Sequence, residues 1–410
     1  MVLNRIFITL FLTSFIVGLG KLIFWHDYLI FQNMVDKLFD AAMNGFEISI
    51  YLTGALCLWL GILKIGEQGG AIKVLTRIVS PLFSKIFPDV PKNHPAIGSM
   101  MMNISANMLG LDNAATPMGL KAMKELQTLN PKPESATNAQ IMFLVLNASG
   151  LTIIPVSILA MRSANHSISP SDVFLPILIT TYFATLGSLI YISIRQKINL
   201  LNKTVFTYLG TITALIGLLL WYLNKHPENV QLISSTGSNL LLFSVIIIFF
   251  ILAIRKKVNI YESFIDGAKD GFQTAISIIP YLVAMLCAIA LLRASGTLDN
   301  ILDGFKWTLT YFGVVQTEFI DALPVAFMKP FSGSGARALM VECFNNYGVD
   351  SFIGKLSATF QGSTETTFYV IAVYFGAVKV KNTRYAATGG IIADVIGVIT
   401  AILVAYLFYK

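Results

Sequence analysis

Charge is what this sequence has least of. Lys, Arg, Asp and Glu make up 12% of its 410 residues, against 55% hydrophobic residues, and the mean hydropathy is +0.71. So thin a supply of charge cannot coat water-soluble domains of that length, and it places the chain in a bilayer. Cysteine is almost missing as well. Cys57, Cys287 and Cys343 lie singly in apolar surroundings, which argues against a disulfide framework or a zinc cluster. The four histidines, His26, His94, His166 and His226, fall in expected loops and form no ligand set. SGSGAR (332–337) lacks the lysine and strand of a phosphate loop, and no nucleophile elbow occurs. No catalytic residue, metal or organic cofactor is expected, and an enzyme is the minor hypothesis. No segment has the composition of a disordered tail. The net charge of +7 sits in short clusters at the ends of apolar runs. That is the positive-inside pattern rather than a nucleic-acid surface.

What fills the chain instead is apolar runs of about 20 residues, the length that crosses a bilayer. The first, residues 6–25, follows Arg5 without a small-x-small cleavage site and reads as a retained helix. Residues 46–65, 140–161, 172–194, 205–223, 239–254, 274–292, 356–378 and 385–409 read as further spans. Residues 31–44 and 297–312 are mixed in polarity and read as amphipathic helices at the interface, with 260–271 an amphipathic lead-in to the second half. The expected fold class is an all-α polytopic membrane protein, and the bilayer is its first partner.

Two stretches interrupt that pattern. Residues 101–123, MMNISANMLGLDNAATPMGLKAM, place Asn103, Ser105, Asn107, Gly110, Asp112, Asn113, Thr116 and Pro117 inside a helical run. Residues 321–342, DALPVAFMKPFSGSGARALMVE, bring Pro324, Pro330, Ser332, Gly333, Ser334, Gly335 and Arg337 to the matching place in the other half. Broken polar backbone at membrane depth is tolerated only where protein buries it or water reaches it. Such segments, paired in two halves, point to a transporter's binding site. Asn103, Ser105, Asn107, Asp112 and Asn113 are therefore candidate substrate ligands, with Ser332, Ser334 and Arg337 opposite. Free N–H groups of a half-helix near residues 333–336 suit an anionic or strongly polar atom. The competing explanation is close helix packing, which also favours small residues and hydroxyls.

A second tier lies in two polar-centred spans, with Asn147, Ser149 and Thr152 in one and Gln361, Ser363, Thr364 and Thr366 in the other. Between the last two stands Glu365. A carboxylate within a span must be paired, protonated or bound to a cation. Glu365 is thus either the ion-pair partner of Arg337 or a coupling site for H+ or Na+.

The order of elements recurs. AAMNGFE (41–47) faces GAKDGFQ (267–273), and LNASGLT (146–152) faces FQGSTET (360–366), which aligns Asn147 with Gln361, Ser149 with Ser363 and Thr152 with Thr366. Anchoring the basic clusters Arg195–Lys203 and Arg255–Lys257 on the cytoplasmic side makes span 46–65 run inward and span 274–292 run outward. The two repeats are therefore expected to be inverted, with discontinuous, re-entrant helices meeting between them.

These strings are specific enough to carry a resemblance. NGFEISIYLTGALCLWLGILKIGEQGG, HPAIGSMMMNISANMLGLDNAATPMGLKAM and LNASGLTIIPVSILAMR resemble the spore maturation protein A family. ESFIDGAKDGFQTAISIIPYLVAMLCAIALLRASG, ALPVAFMKPFSGSGARALM and FQGSTETTFYVIAVYFGAV resemble the spore maturation protein B family. The chain resembles a fusion of the two: residues 1–200 with a gate domain at about 40–162, a linking hairpin at 201–258, and residues 259–410 with a gate domain at about 266–378. Each half is similar to the nucleoside-recognition or gate domain shared with ferrous-iron transporters and concentrative nucleoside carriers. The resemblance implies transport and does not supply the substrate; the expectation is a bacterial inner-membrane secondary transporter of a small polar solute, nucleoside-like or anionic, working by alternating access and open to homo-oligomerisation. A divalent-metal permease, kept open by Met100, Met101, Met102 and Met108, and a membrane scaffold or lipid-handling protein are the alternatives.

Overall fold

The computed structural model describes residues 2–410, apart from the side chains of residues 2, 3 and 112–114. The first half comprises α1 (Val2–Phe24), α2 (Ile30–Gly69), α3 (Ala71–Ile86), α4 (Pro95–Met108), α5 (Asp112–Gln127), α6 (Asn138–Ala148), α7 (Val156–Ala164) and α8 (Phe174–Gln196). A hairpin of α9 (Lys203–Lys225), the single turn α10 (Val230–Leu232) and α11 (Ser238–Arg255) links it to the second. There follow α12 (Ile260–Ala294), α13 (Thr297–Tyr311), α14 (Leu323–Met328), α15 (Gly333–Tyr347), α16 (Phe352–Ser363), α17 (Thr367–Ala377) and α18 (Ala386–Phe408). Among the described residues seven helical segments are long and apolar enough to cross a membrane. The protein is a multi-pass, all-helical membrane protein.

The succession in each half is the same: a long helix (α2, α12), an amphipathic helix (α3, α13), a hairpin (α4–α5, α14–α15), a broken span (α6–α7, α16–α17) and a closing span (α8, α18). One expectation is corrected here. Residues 31–44 and 260–271 are not separate interfacial pieces but the first turns of α2 and α12, which run unbroken for 40 and 35 residues. At 1.5 Å per residue, α2 is about 60 Å long, roughly twice the hydrocarbon thickness. The polar dipeptides Asn44-Gly45 and Asp270-Gly271 look like helix ends, yet their glycines are where the two long helices touch. A side chain at Gly45 would meet Val283 and Leu286, and one at Gly271 would lie 2.7 Å from the Leu56 carbonyl.

Those contacts also give direction. Gly45 meets 283 and 286, Gly271 meets 56 and 57, and Gly61 meets Phe264, so α2 and α12 run antiparallel. The closing spans do the same, with Gly187 against Ile396 and Ile192 against Gly389. Small residues let the backbones approach where no hydrophobic drive separates protein from lipid. The linking hairpin packs on α2 with one face, where Gly66 and Gly69 receive Phe249 and Ala253 of α11, and leaves its other face open. Leu218 on α9 is 62% exposed and Phe243 on α11 63%, as lipid-facing side chains are.

Each end of the molecule is tied across the halves. At one end Arg384, which follows α17, donates to the Ala136 carbonyl (3.0 Å) ahead of α6 and to Asn138 (3.1 Å), its first residue, and Lys381 pairs with Glu134 at 2.8 Å. At the other end, Arg162 in the last turn of α7 is fully buried. It donates to the Val349 carbonyl (2.8 Å) and to Asp350 and Asp172 (2.9 Å each), and Lys355 also pairs with Asp172 at 2.8 Å. Thus the end of each broken span grips the loop ahead of the other half's broken span. Sequence reading passed over Arg162 because it stands one residue beyond an apolar run and looks like a topology signal.

Removing one partner of a buried ion pair costs about 3–5 kcal/mol, so Arg162→Gln is expected to destabilise the purified protein by that order, read as a lower melting midpoint. The Asp350 loop lies outside the spans and adds a pH signature. Burial alone would raise the pKa of Asp350, but the Ser167 hydroxyl, the Ile168 N–H and Arg162 together hold it below its ordinary 3.8. Stability from such a group is complete above the ordinary value and is lost as pH falls through the lower native one. Melting midpoints are expected to fall on acidification below about pH 4, and less steeply in Asp350→Asn; equal acid limbs would remove this role.

Candidate functional site

The site is built where two interrupted spans cross. Helix α6 ends at Ala148 and α7 restarts at Val156, while α16 ends at Ser363 and α17 restarts at Thr367. The freed backbone groups find partners in each other. The Glu365 N–H donates to the Ala148 carbonyl at 2.9 Å, bonding one break to the other. Gly150, at φ +64°, lies at this crossing, where a Cβ would come within 2.7 Å of the Glu365 nitrogen. Only glycine takes that conformation and that approach together.

Each hairpin docks its tip on the break of its own half. From the turn between α4 and α5, the Met108 carbonyl accepts from the Ile153 N–H (2.6 Å), and Gly110, at φ +72°, abuts the Ile154 carbonyl. Between α14 and α15, the Pro330 carbonyl accepts from the Phe368 N–H (3.0 Å), and the Gly333 carbonyl accepts from Gln361 Nε2 (3.3 Å). Ser332 caps α15 by accepting from the Gly335 N–H at 3.0 Å.

Between this crossing and the paired helices α2 and α12 lies a cavity of about 320 Å³. Of the residues singled out in the sequence, Asn107, Thr152, Arg337, Gln361, Thr364, Glu365 and Thr366 line it. Asn147 stands one layer behind: its Oδ1 accepts from Asn107 Nδ2 (2.8 Å) and from the Tyr374 hydroxyl (3.3 Å). Asn103 is further back, donating to the Ala115 carbonyl (2.8 Å) and to Tyr374 (3.2 Å), and so braces the first hairpin. Ser105 bonds Thr76 of α3, Ser149 bonds Thr185 of α8, and Ser363 bonds the Phe360 carbonyl. Ser332 is occupied as a cap, and Ser334 faces a separate shallow depression beside Tyr281. Asp112 and Asn113 lie outside the described side chains.

Glu365 does not sit inside a continuous span, as its neighbours suggested. It is exposed at the break, on the cavity wall that it shares with Arg337. Lys64, Glu67 and Asp270 from the long helices also line the cavity, as does Lys329 of the second broken stretch, whose place in the sequence suggested a position nearer the interface. Lys64 and Glu67 pair at 3.0 Å. They were missed because α2 and α12 looked like ordinary spans with basic ends. Asp394, buried in α18, was missed too. Its oxygens accept from Thr364 and Thr367, at 2.8 Å each. A lone carboxylate in the otherwise apolar stretch 386–408 was the available signal.

Two like halves, with their broken spans crossed over a polar cavity, define a membrane protein of the gate-domain class. The family model described as "Gate: Nucleoside recognition" matches residues 49–165 and again residues 275–381, together more than half of the chain. The chain belongs to this family. It is 38% identical over 169 residues to spore maturation protein A of Bacillus subtilis (strain 168), covering 40% of this chain and 86% of that protein. It is 45% identical over 154 residues to spore maturation protein B of the same organism, covering 38% of this chain and 84% of that protein. The pair of matches is consistent with a fusion of two such proteins.

Gly150→Ala adds a strained left-handed residue, about 1–3 kcal/mol, and a clash with the opposite break. Gly98→Ala, with nothing within 4 Å of the new methyl, gains about 0.5–1 kcal/mol of helix preference. Thermal melts of the two variants are expected to move in opposite directions. A tolerated Gly150→Ala would mean that the breaks do not touch.

Proposed function

We propose that the protein is a secondary transporter, moving a small polar solute through the cavity between two inverted halves by alternating access. The observation that carries this reading is the crossing of the two breaks, each with its own hairpin tip docked on it, beside one polar cavity. The antiparallel packing of α2 on α12 and of α8 on α18, which hold equivalent places in the two halves, supports the inversion. It agrees with the opposite directions derived from the basic clusters. In this reading the halves divide at residues 1–200 and 259–410 with the hairpin 201–258 between them, and the chain sits in a bacterial inner membrane with its basic clusters on the cytoplasmic side.

The wall supports a polar, hydrogen-bonding solute. Gln361 is 5% exposed, and its Oε1 has no hydrogen-bond partner among the described residues. A buried acceptor on a cavity wall is costly until a donor reaches it, and a nucleoside-like ligand carries several. Gly333 brings the N-terminus of α15 to the same wall, with Arg337 one turn on, which suits an anionic group. Cavity carboxylates Glu67, Asp270 and Glu365 offset the lysines and arginine. Of these, Glu365 stands at the crossing itself and is the residue we assign to H+ or Na+ coupling. No group in this reading does covalent chemistry.

A ligand that binds only the native state at 100 times its Kd adds about 2.7 kcal/mol of apparent stability. Thermal shifts across nucleosides, amino acids, dicarboxylates and divalent metals are expected to single out one anionic or nucleoside-like class. A shift with metals alone would favour a metal permease. Uniformly flat melts with no uptake into proteoliposomes would leave a scaffold or lipid-handling role. With the solute in hand, Glu365→Gln is expected to abolish the ion dependence of uptake, and uptake that keeps it would remove the coupling role.

A further inference from the structure

The cavity wall has a buried acid behind it that the transport reading does not use. Asp394 stands in the middle of α18, 7% exposed, in a span with no other ionisable side chain until its tyrosine at 406. One carboxylate oxygen accepts from Thr364, the first residue of the second break, and the other accepts from Thr367, the first residue of α17. Both bonds are 2.8 Å and both threonines are buried. One acid thus holds the two sides of the break at a fixed separation. Thr364 belongs at once to this clamp and to the cavity wall.

The elements around α18 leave few charges to settle the acid. Helix α6 carries no ionisable side chain, α8 carries Tyr182, Tyr191 and, at its far end, Arg195, α16 carries Lys355 and α17 carries Tyr369 and Tyr374. The break carries Glu365. Beyond the two threonines, the group acting on Asp394 is Lys329 of the second hairpin tip, through its charge. A carboxylate so placed, inside the membrane and solvated mainly by hydroxyls, is a group that protonation can reset.

We propose that Asp394 is a proton-binding site whose occupancy switches what Thr364 offers to the cavity. Its consequence for transport rests on the reading above; the site itself does not. With the carboxylate ionised, both oxygens only accept, and the Thr364 hydroxyl hydrogen is committed to Oδ1. When a hydronium ion in the cavity gives a proton to Oδ1, its O–H bond breaks as the new O–H bond forms, and a neutral water is left behind. That O–H needs an acceptor, and Thr364 Oγ1 is in place at the same distance. The threonine then accepts, and its own hydrogen is released to turn toward the cavity. Thr364 gains a donor for a solute oxygen at the moment the proton binds, so proton and solute each favour the other's binding.

The test is an infrared difference titration of the full chain in liposomes, with protons as the only probe. Among the protonated-carboxyl bands that acidification raises, Asp350's included, one is expected to come from Asp394 and to move on exchange into D2O. The band is absent in Asp394→Asn and present in Glu365→Gln. Thr364→Val keeps the band but moves both its frequency and the pH at which it appears. Should Asp394→Asn fail to fold, the Thr364→Val shift alone decides the matter. Bands that no Asp394 or Thr364 change touches, an Asp394 band that Glu365→Gln removes, or no band beyond Asp350's at any pH would each overturn the proposal, the last leaving Asp394 a permanently ionised anchor. Proteoliposome uptake separates the two readings. A titrating Asp394 with no solute moved sinks the transporter alone, and solute uptake by a protein whose carboxyl bands no Asp394 or Thr364 change touches sinks this site alone.

Discussion

Unpaired backbone at membrane depth is the constraint that shapes this molecule. An amide without a partner there costs several kcal/mol, and this chain interrupts two spans and turns two hairpins inside itself. Each interruption is satisfied by another. The Glu365 N–H reaches the Ala148 carbonyl, the Ile153 N–H reaches Met108, and the Phe368 N–H reaches Pro330. No break would be stable alone, which is why they occur together and in one place. The convergence that makes a polar cavity is the same convergence that lets the backbone break at all.

Duplication makes that convergence available. Two halves of one design, packed with their equivalent helices antiparallel, bring equivalent positions face to face. Gly150 of the first break lies against Thr364 of the second, the residue that the alignment of LNASGLT with FQGSTET makes its counterpart. The same pairing recurs at the ends, where Arg384 grips the loop before α6 and Arg162 the loop before α16. The halves are not equal in strength, however. Arg162 is fully buried and reaches two carboxylates, whereas Arg384 bonds a carbonyl and an amide. One end is therefore held by buried charge and the other by neutral acceptors and the exposed Lys381–Glu134 pair.

The long helices carry a different load. Glycines along α2 and α12 bring their backbones close enough for the neighbour's carbonyls to sit against them, as Gly271 does with Leu56. The charged residues Lys64, Glu67 and Asp270 then face the cavity from this pair, opposite the wall formed by the breaks. The site thus has one face made of continuous helix and one made of interrupted helix.

Much of this was legible in the residues. Scarce charge and apolar runs near 20 residues fixed a polytopic helical protein, because hydrocarbon admits no other way to satisfy a chain of this composition. The strings around Asn107, Gly110, Gly333 and Thr366 marked where helices stop, since glycine, proline and short polar side chains compete with helix locally wherever they occur. Distance could not be read from those strings. That Asn107 faces the cavity while Ser105 turns to Thr76, that Asp394 clamps Thr364 to Thr367 across α18, and that Asn44-Gly45 is a helix contact rather than a helix end were all settled by packing. Local chemistry determines where a chain can break, and only the tertiary structure decides which side chains then meet, because those partners lie tens to hundreds of residues apart and no local preference connects them.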